Sequence, residues 1–281
     1  MIFRKFFHKI KIIILRKFGR SLPSTSQAKD YGNLGENNFT ALIKKELPQC
    51  KVKKNVVIST VDGNAEIDCL VLYKNKVFAV EVKNWKGMIT ERKNAFVQSK
   101  TDRWTGEVHS KKLKSPFKQI NRSIFLLRKQ IPIQAWVNAV VFFDSADSVD
   151  AESDIAWFCN IEKLATYIIH SGEESSNAEM FFNRCICADT LYSLKKGRTM
   201  QGVIMGESLK FKTSQGEISR KDIARIKVSH HTSYDDLKIE LTDGSYRRIK
   251  QENLKLRVWN NGKYKKYALC KLDLIDLGRG K

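Results

Sequence analysis

Two short acid-bearing segments interrupt apolar runs in the 281-residue chain and offer the clearest candidate chemistry. Glu66-Ile67-Asp68 leads into Cys69-Leu70-Val71-Leu72-Tyr73, and Val77-Phe78-Ala79-Val80 leads into Glu81-Val82-Lys83. Lys74-Asn75-Lys76 between them reads as a tight turn, so the two runs form a β-hairpin. A two-residue turn at Lys74-Asn75 sets Asp68 across from Glu81, and one at Asn75-Lys76 sets it across from Lys83. Residues opposite each other share a face. One face then carries Ile67, Cys69, Val71, Tyr73, Phe78, Val80 and Val82. The other carries Leu70, Leu72, Val77 and Ala79, with Glu66, Asp68, Glu81 and Lys83 gathered at the open end.

Two carboxylates held together repel unless a proton or a cation neutralises them. An oxygen-only pair beside a lysine suits Mg²⁺ or Mn²⁺, which take a carboxylate or two and complete their shell with water and substrate phosphate oxygens. The lysine would position the attacking water or stabilise charge developing on phosphorus. The chemistry that follows is metal-assisted phosphodiester hydrolysis. The competing reading is a solvated strand end held by salt bridges. Glu91 and Lys93 repeat the Glu-x-Lys spacing with no strand to support them.

The elements around this hairpin are expected to be mixed. Gly35 to Leu47 suits a helix with Leu34, Phe39, Leu42, Ile43 and Leu47 on one side. Val52 to Thr60, Ala65 to Tyr73 and Val77 to Trp85 read as strands. Pro116 to Gln130 reads as a second helix with proline in its first turn. Ala135 to Phe143 suits a buried strand, and Ile161 to His170 a further helix. This order is α/β. From about Gly197 the pattern changes to short alternating runs. Leu209, Phe211 and Gly216 recur as Leu237, Ile239 and Gly244, so LKFKTSQGEISR and LKIELTDGSYRR align without a gap. Two similar hairpins predict a small antiparallel β domain, though two ordinary hairpins would look the same.

Charge divides the chain. Fifty-one Lys and Arg against 30 Asp and Glu give +21, which points to a polyanionic partner, nucleic acid or an anionic membrane surface. Residues 1–31 carry +7, 32–150 carry +8, 151–190 reverse to −5, and 191–281 carry +11. Residues 1–20 space Phe and Ile at three- and four-residue steps among Arg and Lys, a basic amphipathic helix. It could lie in a membrane interface or pack on the rest of the protein, a partner or a second subunit. A signal peptide is the weakest reading, because Lys11 interrupts the apolar region. Gly19 to Asp30 reads as a linker. The domains expected are thus residues 1–31, helix and linker; 32–190, ending in an acidic helical extension; and 191–281, basic and β-rich.

Other classes are disfavoured. No run approaches the length of a spanning helix, six sparse cysteines suit reduced thiols in a cytoplasmic rather than secreted setting, and no phosphate-binding glycine loop occurs. His109 lies in a basic loop, His230-His231 have no ligand-spaced partners, and Cys185 and Cys187 flank Ile186 where both would pack on one side.

Residues from about Tyr31 to Asp144 resemble the nuclease-related domain, NERD, a branch of the PD-(D/E)xK restriction-endonuclease-like superfamily. The resemblance rests on Gly35-Glu36, Glu66-Ile67-Asp68, Glu81-Val82-Lys83 followed by Asn84-Trp85-Lys86-Gly87, Trp104, and Pro116-Phe117-Lys118-Gln119. It implies a restriction-endonuclease-like mixed sheet flanked by helices and a metal-dependent nuclease site. Asp68 and Glu81 would hold the metal, Lys83 would be the catalytic lysine, Glu36 an additional ligand or water-positioning acid, and Gln119 would line the site. Some members of the superfamily bind nucleic acid without cutting it.

Residues 84–130 carry a local +9 with aromatic residues interleaved, a lining suited to nucleic acid. Phe96 and Phe117 are expected in the core. Lys86, Arg103, Trp104, Lys111, Lys112, Lys114 and Lys118 are the expected nucleic-acid contacts. The combined expectation is a Mg²⁺- or Mn²⁺-dependent nuclease, DNA favoured over RNA. The alternative is a non-catalytic nucleic-acid- or partner-binding module on the same fold, or one associated with a membrane surface.

Overall fold

The computed structural model describes residues 27–92, 95–193, 196–214, 216–231, 234–252, 254–260 and 263–278, with side chains from Gly35 onward. The basic segment 1–20 lies outside them. Two compact units result, Gln27–Cys187 and Ala188–Arg279.

In the first unit, helix α1 (Gln27–Glu46) precedes three strands, β1 (Lys51–Thr60), β2 (Gly63–Tyr73) and β3 (Lys76–Lys83). A separate strand trio follows: β4 (Gly87–Arg92), β5 (Ala95–Thr101) and β6 (Val108–Leu113). Then come α2 (Pro116–Gln130), β7 (Val137–Phe143), β8 (Ala146–Asp150), β9 (Ala156–Phe158), α3 (Ile161–His170) and α4 (Ala178–Arg184). The main sheet runs β1-β2-β3-β7-β9, and a four-stranded sheet runs β6-β5-β4-β8. In the main sheet β1, β2 and β3 pair antiparallel, whereas β3-β7 and β7-β9 are parallel. The fold is therefore α/β with mixed sheets.

Both faces of the main sheet are covered. Phe39, Ile43 and Leu47 of α1, with Leu164, Ala165 and Ile168 of α3, pack on Cys69, Val71, Phe78, Val80, Val140 and Phe142. On the opposite face Ile120, Ile124 and Leu127 of α2 and Phe181 and Phe182 of α4 pack on Leu70, Leu72, Val77, Ala79, Val141 and Phe143. Burial on both sides explains why β3 is an almost unbroken apolar run. Each fully buried Phe or Leu in such a layer contributes about 1.5–3 kcal/mol.

The helix at Pro116 starts where the sequence placed it. Ser115 caps it through its hydroxyl, which accepts from the Lys118 amide, and proline occupies the first turn. Helix α3 likewise spans Ile161–His170 with Asn160 capping the Lys163 amide. Several expectations need correction. Helix α1 begins at Gln27, inside the stretch read as linker. The segment containing Glu91 is a strand, Glu91 standing opposite Phe96. Ile67 does not share the face of Cys69 and Val71 but packs with Leu70 and Leu72. The cause lies at Asn55, whose φ of 51° places it in the left-handed region. The β1-β2 ladder pairs Lys54 with Cys69 and Val56 with Ile67, and the parity of both strands changes across that step.

The second unit contains β10 (Asp189–Ser193), β11 (Arg198–Ile204), β12 (Phe211–Thr213), β13 (Gly216–Ile218), β14 (Ile223–His230), β15 (Asp235–Leu241), β16 (Tyr246–Gln251), β17 (Lys255–Asn260), β18 (Lys263–Ala268) and β19 (Leu274–Asp276). Eight of these strands form one antiparallel sheet, β16-β15-β14-β19-β10-β11-β17-β18. The repeated segments are both hairpins: Leu209 and Phe211 are buried, as are their counterparts Leu237 and Ile239. The copies differ in use, since β12-β13 pair only with each other, whereas β15-β16 belong to the large sheet. Asp189 is fully buried and ties three parts of this unit together. It accepts from Arg220, from the Ile204 amide at 2.7 Å and from the Gly278 amide at 2.9 Å.

Candidate active site

The turn at Lys74-Asn75 is the one realised, with Tyr73 paired to Lys76 and Lys74 at a φ of 51°. The hairpin register therefore carries Asp68 across from Glu81. The β2-β3 ladder ends at Cys69–Val80, one step before the acids. Beyond it the Val82 amide donates to the Asp68 carboxylate at 2.8 Å instead of to strand β2. Asp68 thus caps the point where the strands part, which brings its carboxyl against that of Glu81.

Glu81 is fully buried. One oxygen, Oε1, accepts from the Lys83 amine. The other, Oε2, is buried and finds no donor. Lys83 also donates to Gln119 Oε1 at 3.3 Å, so exposed Gln119, the fourth residue of α2, reaches the lysine from the first turn of that helix. The Lys83 amine lies 5.9 Å from the centre of the Trp85 ring. Trp85 packs on Phe96 and Phe143, and Phe96 on Phe117, which places both phenylalanines in the core.

Glu36 arrives from α1. Gly35 makes this approach possible: a Cβ there would lie 3.2 Å from the Asn84 Cβ. The helix therefore passes close to the end of β3 with Glu36 directed toward the acids. Burial, followed by the charges of Asp68 and Glu66, raises the Glu36 pKa to about 8, while Lys54 opposes the rise. Burial and the neighbouring Asp68 likewise push Glu81 up to about 8 against the pull of Lys83. Asp68 is raised by burial and held back by Lys83, the Val82 amide and its hydrogen bond with Glu81. Asp68 and Glu81 titrate as a pair, and burial of both favours a proton held between them.

These features bear on whether a metal fits. Among the described residues no three His, Cys, Asp or Glu side chains converge tightly enough to enclose an ion by themselves. Mg²⁺ does not require that, because it uses one or two carboxylates and fills the remaining positions with water and phosphate oxygens. A buried oxygen without a donor, a second carboxyl against it and a third acid nearby form a donor set suited to a hard divalent cation. Cys69 adjoins the group, but burial raises its thiol well above the usual range, and its sulfur lies 3.8 Å from the Thr40 hydroxyl.

Asp68, Glu81, Lys83, Glu36 and Gln119 are therefore brought together. The expected nucleic-acid contacts are exposed: Lys86 after β3, Arg103 and Trp104 in the β5-β6 turn, Lys111 and Lys112 on β6, Lys114 beyond it, and Lys118 in the first turn of α2. Lys54 was not legible as a site residue, because three lysines crowd the segment Lys51–Lys54 and only the register shows which one faces α1. Its amine donates to Asn37 at 2.5 Å. His230 also departs from expectation: its Nδ1 lies 2.9 Å from Asp235 and its Nε2 3.6 Å from Asp273. Cys185 and Cys187 are buried on either side of exposed Ile186, as their spacing suggested.

Residues 31–144 match the family model of the nuclease-related domain. This segment is similar to the NERD domain. The match begins inside α1 and ends just after β7, so it contains all five clustered residues. No curated protein and no solved structure matches the chain. The similarity suggests a nuclease-related function for this segment and an interaction with nucleic acid. Among the described residues no helix is long and apolar enough to cross a membrane.

Proposed function

We propose that this chain is a metal-dependent nuclease that hydrolyses phosphodiester bonds, with DNA the favoured substrate. The observation that carries the reading is Glu81: a carboxylate fully buried in a core strand, with one oxygen bound by Lys83 and the other lacking a donor. An isolated buried acid is costly, and a cation offsets that cost where another carboxylate has been set beside it.

In this reading Asp68 and Glu81 hold Mg²⁺ or Mn²⁺, and Glu36 serves as a further ligand or orients water at the edge of the group. When bound, the metal supplies Lewis acidity and makes water a better nucleophile. Lys83 positions the water or a phosphate oxygen, or steadies the charge that develops on phosphorus. Gln119 holds the Lys83 amine in place. The exposed lysines of β6 and α2 keep the phosphate backbone near the site through contacts that weaken with salt.

The raised Glu36 and Glu81 pKa values favour a second reading, a binding module whose acids hold protons instead of a metal. Titrating the full chain with Mn²⁺, followed by the loss of the free-ion electron paramagnetic resonance signal, separates the two. The nuclease reading expects saturable Mn²⁺ binding accompanied by proton release, and loss of both in Glu81→Gln. Wild-type protein that takes up no Mn²⁺, with or without a DNA oligonucleotide, supports the binding module.

A further inference from the structure

The β5-β6 turn combines a rigid backbone with an uncovered side chain. The strands pair as far as Thr101 and Val108. Asp102 then organises the turn. Its carboxylate accepts from the Trp104 and Thr105 amides at 2.8 and 2.9 Å, its carbonyl from Gly106 at 2.9 Å, and its amide donates to Glu107 at 2.8 Å. The residue so carefully placed is Trp104, which is 97% exposed. Val108 beside it is 64% exposed. An indole carries an apolar area of about 200 Å², which water solvates poorly.

The root of this ribbon lies beside the candidate active site. Gly87, four residues after Lys83, has a φ of 89°, and a Cβ on it would come within 2.3 Å of the Ser99 carbonyl and 3.0 Å of the Lys100 side chain. Strand β5 therefore runs tightly alongside the start of β4, just after the chain leaves β3, and Gln98 ties the two by donating to the Lys86 carbonyl at 2.7 Å. From Gln98 the strand and turn carry Trp104 about 15 Å further out. Lys100 and Arg103 lie on the way, and Lys111 and Lys112 on the returning strand. All four are exposed, and none of them has a carboxylate within ion-pair distance among the described residues.

We infer that Trp104 is a wedge that enters a base step of duplex nucleic acid, with Lys100, Arg103, Lys111 and Lys112 holding the flanking phosphates. The inference rests on the nucleic-acid part of the reading above and adds the form of the substrate. Proteins that grip single strands stack successive bases on several aromatic side chains. Here Trp104 is the sole largely exposed aromatic side chain of the β4-β5-β6 segment among the described residues, since Phe96 is buried and Trp85 packs in the core. One apolar side chain on a stiff two-stranded ribbon, flanked by unpaired cations, matches the insertion of a wedge into a paired helix. The same indole and lysines would also suit a membrane interface. The candidate phosphodiester site at the root favours nucleic acid.

The test uses the full chain in EDTA, where cutting does not occur. The probe is a duplex carrying one 2-aminopurine, compared with the same labelled strand alone. Wild type should bind the duplex more tightly than the strand and raise the fluorescence roughly two- to four-fold by unstacking the probe. Trp104→Ala should lose the fluorescence rise at saturation and bind about ten-fold more weakly, with Trp104→Phe recovering most of both. Because Trp104 is exposed, unchanged circular dichroism and melting are expected and separate this result from misfolding. An equal fluorescence rise with Trp104→Ala overturns the wedge, as does tighter binding to the single strand. Binding to phosphatidylserine vesicles that depends on Trp104, with the duplex untouched, assigns the turn to membranes instead. Failure to bind any nucleic acid removes the nucleic-acid reading as well. Wild-type cutting activity in Mg²⁺ bears only on the nuclease reading.

Discussion

Replacing Glu81 with Gln should change how the metal-free protein responds to pH. In the unfolded chain Glu81 ionises near 4.5, whereas in the folded site burial and Asp68 hold its proton up to about 8. Between those values the folded state binds more protons than the unfolded state. Stability therefore falls as pH rises through this window and levels off above it. At about 1.4 kcal/mol per pH unit, a carboxyl moved from 4.5 to about 8 represents a ceiling near 5 kcal/mol. The proton is shared with Asp68, so a working figure of roughly 2–3 kcal/mol is more realistic. For a unit of this size that corresponds to a fall in Tm of roughly 5–10 °C between pH 5 and 8.5. The assay is a thermal melt in EDTA across that range, repeated with saturating Mg²⁺. Wild type should lose stability with rising pH and regain it with Mg²⁺, most strongly at the alkaline end. Glu81→Gln, which cannot ionise, should show a shallower pH slope and little response to Mg²⁺. Parallel pH slopes for the two proteins would refute the reasoning, since they would mean that Glu81 does not carry the raised proton affinity.

Two further predictions concern the frame that holds the site and the second unit. Lys53 is a buried lysine whose amine donates to the Phe182, Asn183 and Cys185 carbonyls at the end of α4, and burial lowers its pKa. Lys53→Met should destabilise the first unit by about 2–4 kcal/mol by leaving those carbonyls without a donor, as measured by urea denaturation. Asp189→Ala should cost the second unit about 3 kcal/mol, because it leaves Arg220 and the Ile204 and Gly278 amides without their shared acceptor. A loss below about 1 kcal/mol in either variant would contradict the role assigned to that side chain.

The sequence made the hairpin legible because its signals are local. Lys74-Asn75 sits between two apolar runs, and once the turn is fixed Asp68 and Glu81 must face each other. Helix α2 was legible through the proline in its first turn, and α3 at Ile161–His170 was read with the same bounds. Ile67 was misplaced because alternation assumes an unbroken pleat, and the left-handed Asn55 changes the parity of β1 and its partner. The β4-β5-β6 sheet escaped notice because its strands are polar and largely solvated: every residue of β6 from Val108 to Lys112 is exposed, which removes the apolar alternation that marks a strand. Lys53 could not be singled out among neighbouring lysines, since its burial depends on α4, more than a hundred residues away in the chain. His230 met Asp235 and Asp273 for a similar reason, through strand pairing and a distant loop that no ligand-like spacing announces.

The central claim concerns catalysis, and cleavage measures it most directly. Wild type, Glu81→Ala and Lys83→Ala would be incubated with plasmid, linear duplex and single-stranded DNA in Mg²⁺, Mn²⁺ or EDTA, after circular dichroism has shown that all three are folded. The account predicts metal-dependent cutting by wild type that EDTA abolishes and that falls at least about 100-fold in both variants. Cutting that persists in Glu81→Ala would contradict the assigned site. No cutting by wild type with any of these metals and substrates, while all three proteins bind DNA alike, would leave a nuclease-related scaffold that binds nucleic acid without hydrolysing it.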